Sequence, residues 1–198
     1  MTAEDRVRAV AQFGFTPRQA RFLVLVMRHA GVCLLRQYSA FAGIVHGQKT
    51  RAFFRKLVAG GYASAYPCRH NRGLLYHVHH VALYRAIEEP NSSYRRPVTA
   101  ARVQERLMLL DTVLTSAELH WLVSAGEKVA HFMHEPRSVP AAALPRLIAN
   151  KAAVTTDSAF PDRLPIGVGR PAQVGNVHRH KRRGLGGHRE VLLPQLVQ

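Results

Sequence analysis

Residues 48–61, with the sequence QKTRAFFRKLVAGG, decide the fold. Apolar side chains recur in this stretch at the three- and four-residue spacing of an amphipathic helix, and the two glycines at its end favour the left-handed backbone that terminates many helices. We therefore predict a helix over Gln48–Ala59. The apolar stripe consists of Ala52, Phe53 and Leu57 with Phe54 and Val58, and the polar side of Lys49, Thr50, Arg51, Arg55 and Lys56.

An earlier helix is predicted over Thr16–Ala30. Thr16 is a good N-cap, and Pro17 suits the first helical position because its missing N–H has no partner there. Gln19 completes a T-x-x-Q capping box, in which two side chains satisfy two backbone N–H groups. Gly31 supplies the end of the helix.

Short elements are predicted between these helices and after them. Val32–Leu35 is too short for a helix and indicates a strand or an extended link, whereas Arg36–Ile44 is predicted as a short helix. After the two glycines we expect the strand Tyr62–Tyr66, the turn Pro67–Gly73 (PCRHNRG), the strand Leu74–His79 and the helix Val81–Ile87.

Positive charge is concentrated in the same part of the chain. The 198 residues contain 28 Lys and Arg against 12 Asp and Glu, a formal net charge of +16. No Asp or Glu occurs between Asp5 and Glu88, an interval with thirteen Lys and Arg residues. A solvated surface ordinarily mixes both signs. The interval therefore favours binding to a polyanion, because each neutralised phosphate releases counterions.

The order helix, extended piece, two helices and hairpin is that of a winged helix-turn-helix domain. With the acid-free charge pattern, it predicts that Gln48–Ala59 is a recognition helix and that Pro67–Gly73 is the tip of a wing. The alternatives are a solvated helix face and an ordinary polar turn. The expected DNA-binding residues are Arg36, Gln48, Lys49, Thr50, Arg51, Arg55, Lys56, Arg69, His70, Asn71 and Arg72.

Four segments are predicted along the chain. Residues 1–87 form the winged-helix nucleic-acid-binding domain, and 88–97 (EEPNSSYRRP) form a polar, proline-bounded linker. Residues 98–168 form a helical segment that ends in a short strand. Residues 169–198 form a basic, irregular tail without helical or alternating periodicity. The expected fold class is mainly α with a small β-hairpin.

Two further helices are predicted beyond the linker. One covers Thr99–Leu114. Thr115 and Glu118 form another capping-box pattern, which predicts a second helix toward Phe132 through Trp121 and Leu122. One face of the first helix is expected either to form a homodimer or to pack on the chain's own core. That face consists of Val103, Leu107, Leu110 and Leu114.

The sequence does not indicate an enzyme. It has neither a G-x-S-x-G nucleophile motif nor a Walker loop. Cys68, His70, His77 and His79 have the ligand types that zinc prefers, but their spacing is not that of a zinc finger. A histidine-rich basic surface is the preferred interpretation. We therefore predict no catalytic residues, no metal site and no cofactor.

A cytoplasmic location is expected. Cys33 and Cys68 are too few for a disulfide framework and fit a reducing compartment. The N-terminal sequence MTAEDRVRAV carries two acids and has no apolar h-region, which argues against a secretory signal. No apolar run approaches the roughly 18 residues that span a bilayer. The expected partner is nucleic acid, most simply double-stranded DNA, and no membrane.

Four motifs carry a resemblance to a known group of proteins. They are FTPRQARFL (15–23), RQYSAFAGIVHGQK (36–49), YHVHHVALYRAI (76–87) and ERLMLLD (105–111). The stretch from Phe15 to Val113 resembles an N-terminal region of proteins from bacterial mobile and conjugative elements. It is also similar, more distantly, to the winged-helix part of the replication-relaxation family. The resemblance implies a DNA-binding regulator of transcription or replication on a mobile element or plasmid.

A second resemblance supplies an alternative. AFPDRLPIGV (159–168) resembles the start of a strand that opens a nuclease-like second domain in related proteins, where a downstream Glu-x-Lys holds a metal. Here the acid after Asp162 is Glu190, followed by Val191 and Leu192. A truncated or partner-dependent remnant of a two-domain nuclease or relaxation protein is therefore one alternative, and a basic RNA-binding component is another.

Overall fold

A computed structural model describes residues 1–68, 73–116, 118–134, 139–151, 154–160 and 164–169. Within these residues the protein has seven α-helices, two single 3₁₀ turns and seven strands in three small antiparallel sheets. The fold is therefore mixed α/β, with seven helices and small antiparallel sheets, which agrees in part with the expected mainly α class with a small β-hairpin. No helix of the described part is both long enough and apolar enough to cross a membrane.

The first elements follow the predicted order closely. α4 has the predicted bounds, and the other predicted elements shift by one or two residues. An N-terminal helix that was not predicted precedes them. The elements are α1 (Ala3–Ala11), α2 (Pro17–His29), β1 (Val32–Leu34), α3 (Leu35–Ala42), α4 (Gln48–Ala59), β2 (Ala63–Pro67), β3 (Leu74–Val78) and α5 (Val81–Ala86).

Local signals in the sequence account for the helix ends. Thr16 Oγ1 accepts a hydrogen bond from the Gln19 N–H at 3.3 Å, and Gln19 Oε1 accepts one from the Thr16 N–H at 3.0 Å. Both bonds of the predicted capping box are therefore present. Gly31 has a φ of 70°, in the left-handed region that few side chains tolerate. Gly61, with a φ of 69°, turns the chain from α4 into β2.

β1, β2 and β3 form one antiparallel sheet in which β3 lies in the centre. Val32 pairs with His77, so β1 brings the end of α2 beside the hairpin. β2 and β3 pair from Ala63 opposite Val78 to Pro67 opposite Leu74. The predicted hairpin is therefore confirmed. Its predicted tip residues, Arg69, His70, Asn71 and Arg72, lie outside the described residues.

Aromatic side chains join α4 to its neighbours in the core. The Phe53 ring lies 4.5 Å from the Tyr38 ring of α3, and the Phe54 ring lies 4.3 Å from the Tyr76 ring of β3. All four side chains are almost completely buried. Burial of one such side chain contributes about 2–3 kcal/mol. The core therefore holds α4 against both α3 and the hairpin.

α6 (Ala100–Thr115) packs on α2, α3 and β1. Leu110 is fully buried in the same core, and Leu107 and Leu114 pack against that core. Of the two predicted outcomes for this apolar face, the structure thus contains the intramolecular one.

The predicted linker includes a 3₁₀ turn, Ser93–Arg95, and the carbonyl oxygen of Tyr94 lies 3.0 Å from His77 Nε2.

Residues 98–168 contain two helices and a strand near their end, but they also contain strands where helix was predicted. β4 (Leu119–Leu122) pairs with β7 (Ile166–Gly169), and β5 (Arg146–Lys151) pairs with β6 (Val154–Ala159). A second 3₁₀ turn covers Ala141–Ala143. Residues 170–198, including most of the predicted tail, lie outside the described residues.

The predicted capping box at Thr115 and Glu118 does not begin a helix, because the chain after it enters β4. α7 (Ala125–His134) begins later and has a different cap. Glu127 Oε2 accepts hydrogen bonds from the Val123 N–H at 2.8 Å and the Ser124 N–H at 3.1 Å. Ser124 Oγ accepts one from the Glu127 N–H at 3.1 Å, which completes the reciprocal pair.

Candidate nucleic-acid interface

α4 buries one face and exposes the rest. Thr50, Phe53, Phe54 and Leu57 point into the core. Thr50 is completely buried, and its hydroxyl lies 3.1 Å from that of Ser39 on α3. The structure therefore corrects the prediction that Thr50 contacts DNA. Its side chain joins two helices instead.

One flank of α4 carries two arginines. Arg51 and Arg55 line a cleft of about 800 Å³ that lies between α4, the start of α3 and the hairpin. His46 and Gln48 also line it, and its apolar wall includes Leu74. No carboxylate lines this cleft among the described residues. We call it the arginine cleft; its polar lining includes Arg36, His46, Gln48, Arg51 and Arg55.

The opposite flank of α4 carries two lysines. Lys49 and Lys56 line a second cleft, of about 770 Å³, together with Arg18 from the first turn of α2. The described residues place no carboxylate in its lining either. We call it the lysine cleft. Lys56 Nζ also donates a hydrogen bond to the carbonyl oxygen of Gly14 and lies 5.2 Å from the centre of the Phe15 ring.

The acid-free interval is partly neutralised by carboxylates from outside it. Arg28 forms ion pairs with Glu89 and Glu127, and Arg21 forms one with Glu4. The fold thus brings acids from the N-terminus and from the second half against this basic segment. Arg21 and Arg28 are therefore paired with carboxylates, so only part of the positive charge of the interval is available to a polyanion.

Arg36, a predicted DNA-binding residue, also forms an ion pair with a carboxylate from outside the interval. Its guanidinium donates two hydrogen bonds to the Asp111 carboxylate of α6, at 3.1 and 2.7 Å. Gln37 Nε2 donates to the same carboxylate at 2.9 Å. Burial raises the pKa of Asp111, but the hydrogen bonds and the charge of Arg36 outweigh burial, so the pKa lies below its ordinary value. Arg36 is therefore a paired residue at the rim of the arginine cleft.

Three other cations of α4 have no such partner. Lys49, Arg51 and Arg55 are exposed, and none of them forms an ion pair with a carboxylate in the described part of the chain. α4 also has no acidic side chain in its first turn. The positive N-terminal end of the helix dipole adds to these charges. α4 is thus a cationic surface with neutral Ala52 between its two basic flanks.

The histidines considered for zinc have other contacts. His79 Nε2 lies 2.9 Å from Ser64 Oγ, and His77 contacts the Tyr94 carbonyl as described. Burial is the main cause that lowers the pKa of both rings. Within the described residues, no three His, Cys, Asp or Glu side chains are grouped closely enough to hold a metal ion. His70 lies outside those residues.

Sequence reasoning missed two residues of this surface. Arg18 lines the lysine cleft and His46 lines the arginine cleft. Arg18 lies in the first turn of α2, and His46 lies in the turn before α4. The sequence signal that could have found them is their position beside the ends of predicted helices. A scan against protein-family models and searches of curated proteins and of solved structures found no match to this chain.

Proposed function

We propose that the N-terminal part is a winged helix-turn-helix domain that binds double-stranded DNA through α4. The observation that carries this proposal is the exposed surface of α4, where Lys49, Arg51 and Arg55 have no carboxylate partner among the described residues. A regulator of transcription or replication on a bacterial mobile element is the role we assign to it. The resemblance in residues 15–113 supports that role.

The dimensions of α4 suit the major groove. Its 12 residues extend for about 18 Å, and the major groove of about 12 Å width admits one α-helix. Ala52 in the middle of the exposed face leaves room for close approach to base edges. The basic flanks on either side of it face the directions in which the two phosphate backbones would lie. This arrangement supports insertion with Arg51 and Arg55 toward one strand and Lys49 toward the other.

The hairpin supports the same binding mode. Leu74, at the start of β3, lines the arginine cleft, so the hairpin lies beside the arginine flank of α4. The Tyr66 side chain of β2 is 49% exposed near the same end of the hairpin. In a winged helix the wing follows the backbone next to the groove that the helix occupies. The predicted wing residues 69–72 connect these two strands.

The test compares two double substitutions of equal charge. R51A/R55A removes two exposed cations of α4, and R8A/R85A removes two exposed arginines that line neither cleft. Fluorescence anisotropy with a 20-base-pair duplex should show at least about tenfold weaker binding for R51A/R55A, because each lost base contact costs about 1–3 kcal/mol. R8A/R85A should change the affinity by less than about threefold.

Parallel titrations with single-stranded DNA and a structured RNA separate the alternatives. The DNA proposal requires the duplex to bind more tightly than either of them at the same salt concentration. Stronger binding to RNA, with R51A/R55A again the weaker variant, would assign α4 to an RNA-binding protein. Equal losses in R51A/R55A and R8A/R85A would show that net charge alone is responsible and would overturn the role of α4.

A further inference from the structure

A third cleft, of about 600 Å³, lies beside α6 and is separate from both clefts of α4. Among the described residues, its charged lining consists of Arg96, Arg102 and Arg106 with one carboxylate, Glu105. Ser93 adds a hydroxyl group. A volume of this size lies within the usual range for small-molecule sites. We call it the α6 cleft.

Arg106 is held in place at the wall of this cleft. Its guanidinium lies 5.0 Å from the centre of the Tyr94 ring and donates a hydrogen bond to the carbonyl oxygen of Ala30 at 3.3 Å. The side chain is partly buried, and no described carboxylate forms an ion pair with it. A guanidinium has five N–H donors and loses hydration on burial. An anion in the cleft would compensate for that loss.

Arg96 and Arg102 complete the set. Both are exposed, and neither forms an ion pair within the part of the chain that the structure describes. Arg102 lies in the first turn of α6, a 16-residue helix whose first turn has no acidic side chain. The helix dipole therefore favours negative charge at the same place as the guanidinium groups. Planar guanidinium groups bind phosphate oxygens through paired hydrogen bonds.

The α6 cleft and the arginine cleft lie on opposite faces of the sheet. Tyr76 of β3 lines the arginine cleft, whereas the next residue, His77, contacts the backbone of Tyr94, which lines the α6 cleft. Successive side chains of a strand point to opposite faces of its sheet. The two clefts share no lining residue, so the α6 cleft is a distinct site.

We propose that Arg96, Arg102 and Arg106 form a second anion site, which binds a phosphate group of a small phosphorylated ligand or of a nucleic-acid backbone. The proposal does not depend on DNA binding by α4. Glu105 opposes the anion and limits its affinity.

The experiment is isothermal titration of the full chain with inorganic pyrophosphate, adenosine monophosphate and octathymidylate. R96A/R102A should weaken binding of the responding probe by at least about tenfold, because two charge-assisted phosphate contacts are lost. R8A/R85A, which removes the same charge elsewhere, should leave it within about twofold. A response to the two small probes identifies a free phosphorylated ligand, and a response to octathymidylate alone identifies a backbone phosphate.

A second variant changes the affinity in the opposite direction. E105Q removes the carboxylate from the lining and should strengthen binding of the same probe about threefold or more, because a like charge no longer opposes the anion. R51A/R55A should leave pyrophosphate binding unchanged, so this site and the proposed DNA surface can fail separately. If no probe binds, or if R96A/R102A and R8A/R85A weaken binding equally, the α6 cleft is not an anion site.

Discussion

Replacement of Asp111 by Asn should destabilise the protein and at the same time strengthen the proposed binding to DNA. The carboxylate of Asp111 accepts two hydrogen bonds from Arg36 and one from the buried Gln37. Asparagine has nearly the same shape but no charge, so D111N breaks the ion pair without creating a cavity. Arg36 is then released at the rim of the arginine cleft, close to Arg51 and Arg55.

The loss of stability follows from the exposure of the groups involved. The Arg36 and Asp111 side chains are 62% and 37% exposed, so their ion pair contributes only about 0.5–1 kcal/mol. The side-chain oxygen of Asn can still accept the hydrogen bond from Gln37, which is 1% exposed, but loss of the charge on the acceptor costs about another 1 kcal/mol. The total of about 1–2 kcal/mol should lower Tm by roughly 2–8 °C for a chain of this length.

The gain in DNA binding has the opposite sign because one paired cation becomes available. At low salt the duplex affinity of D111N should rise about threefold or more, and the salt dependence should steepen by about one phosphate contact. Urea unfolding and anisotropy titration at several salt concentrations measure the two effects. E118Q is the matched control, since Glu118 is an exposed carboxylate that forms no ion pair with a described residue. Weaker DNA binding by D111N, or equal affinity gains in D111N and E118Q, would refute the reasoning.

Three further substitutions test the fold around this surface. T50V should cost about 1–2 kcal/mol in urea unfolding by leaving the buried Ser39 hydroxyl without its partner, while the duplex affinity stays unchanged. G31A should cost at least about 2 kcal/mol, because its φ of 70° disfavours alanine and the new Cβ would meet the Tyr94 carbonyl oxygen; a smaller loss would contradict this backbone assignment. Burial, assisted by the charge of Arg28, lowers the pKa of His29 from 6.5 to about 4, so the unfolded chain binds its proton first. Stability should therefore fall by roughly 3 kcal/mol from pH 7 to pH 4, and H29L should flatten that slope in urea titrations.

Local signals made the first elements predictable. The capping box at Thr16 and the glycines after α4 act through neighbouring residues, so the sequence contains the whole interaction. The apolar spacing in 48–61 likewise predicted most of the buried face of α4. The prediction was wrong for Thr50, which was assigned to the polar side because its side chain carries a hydroxyl group. Ser39, eleven residues earlier, supplies the partner that permits its burial.

Contacts between distant residues account for the rest. The capping-box pattern at Thr115 and Glu118 is a real local preference, but Leu119–Leu122 pairs with residues more than 40 positions later. Trp121 lies opposite Gly167, where an added side chain would meet the indole ring, so the pairing depends on a glycine that no local pattern connects with it. Tertiary pairing of this kind overrides helix propensity.

The candidate site was predictable only where local spacing determines it. Helical spacing placed Lys49, Arg51 and Arg55 on the exposed face, and the structure agrees. The ion pair between Arg36 and Asp111 joins residues 75 positions apart, which no spacing rule reveals. Counting charges in one interval of the sequence could not show that carboxylates from other elements would fold back against it.

The aromatic contacts of α4 also have a consequence for the proposed DNA binding, namely which duplex sites would fit. Phe53 and Phe54 fix the helix to α3 and to β3, and both rings are fully enclosed by protein. α3, α4 and β3 are therefore packed into one unit through a shared core. In the proposed binding mode, the segment bound by α4 and the segment beside the hairpin must have a defined spacing on the duplex. We therefore expect that inserting one base pair of about 3.4 Å between these two segments weakens binding.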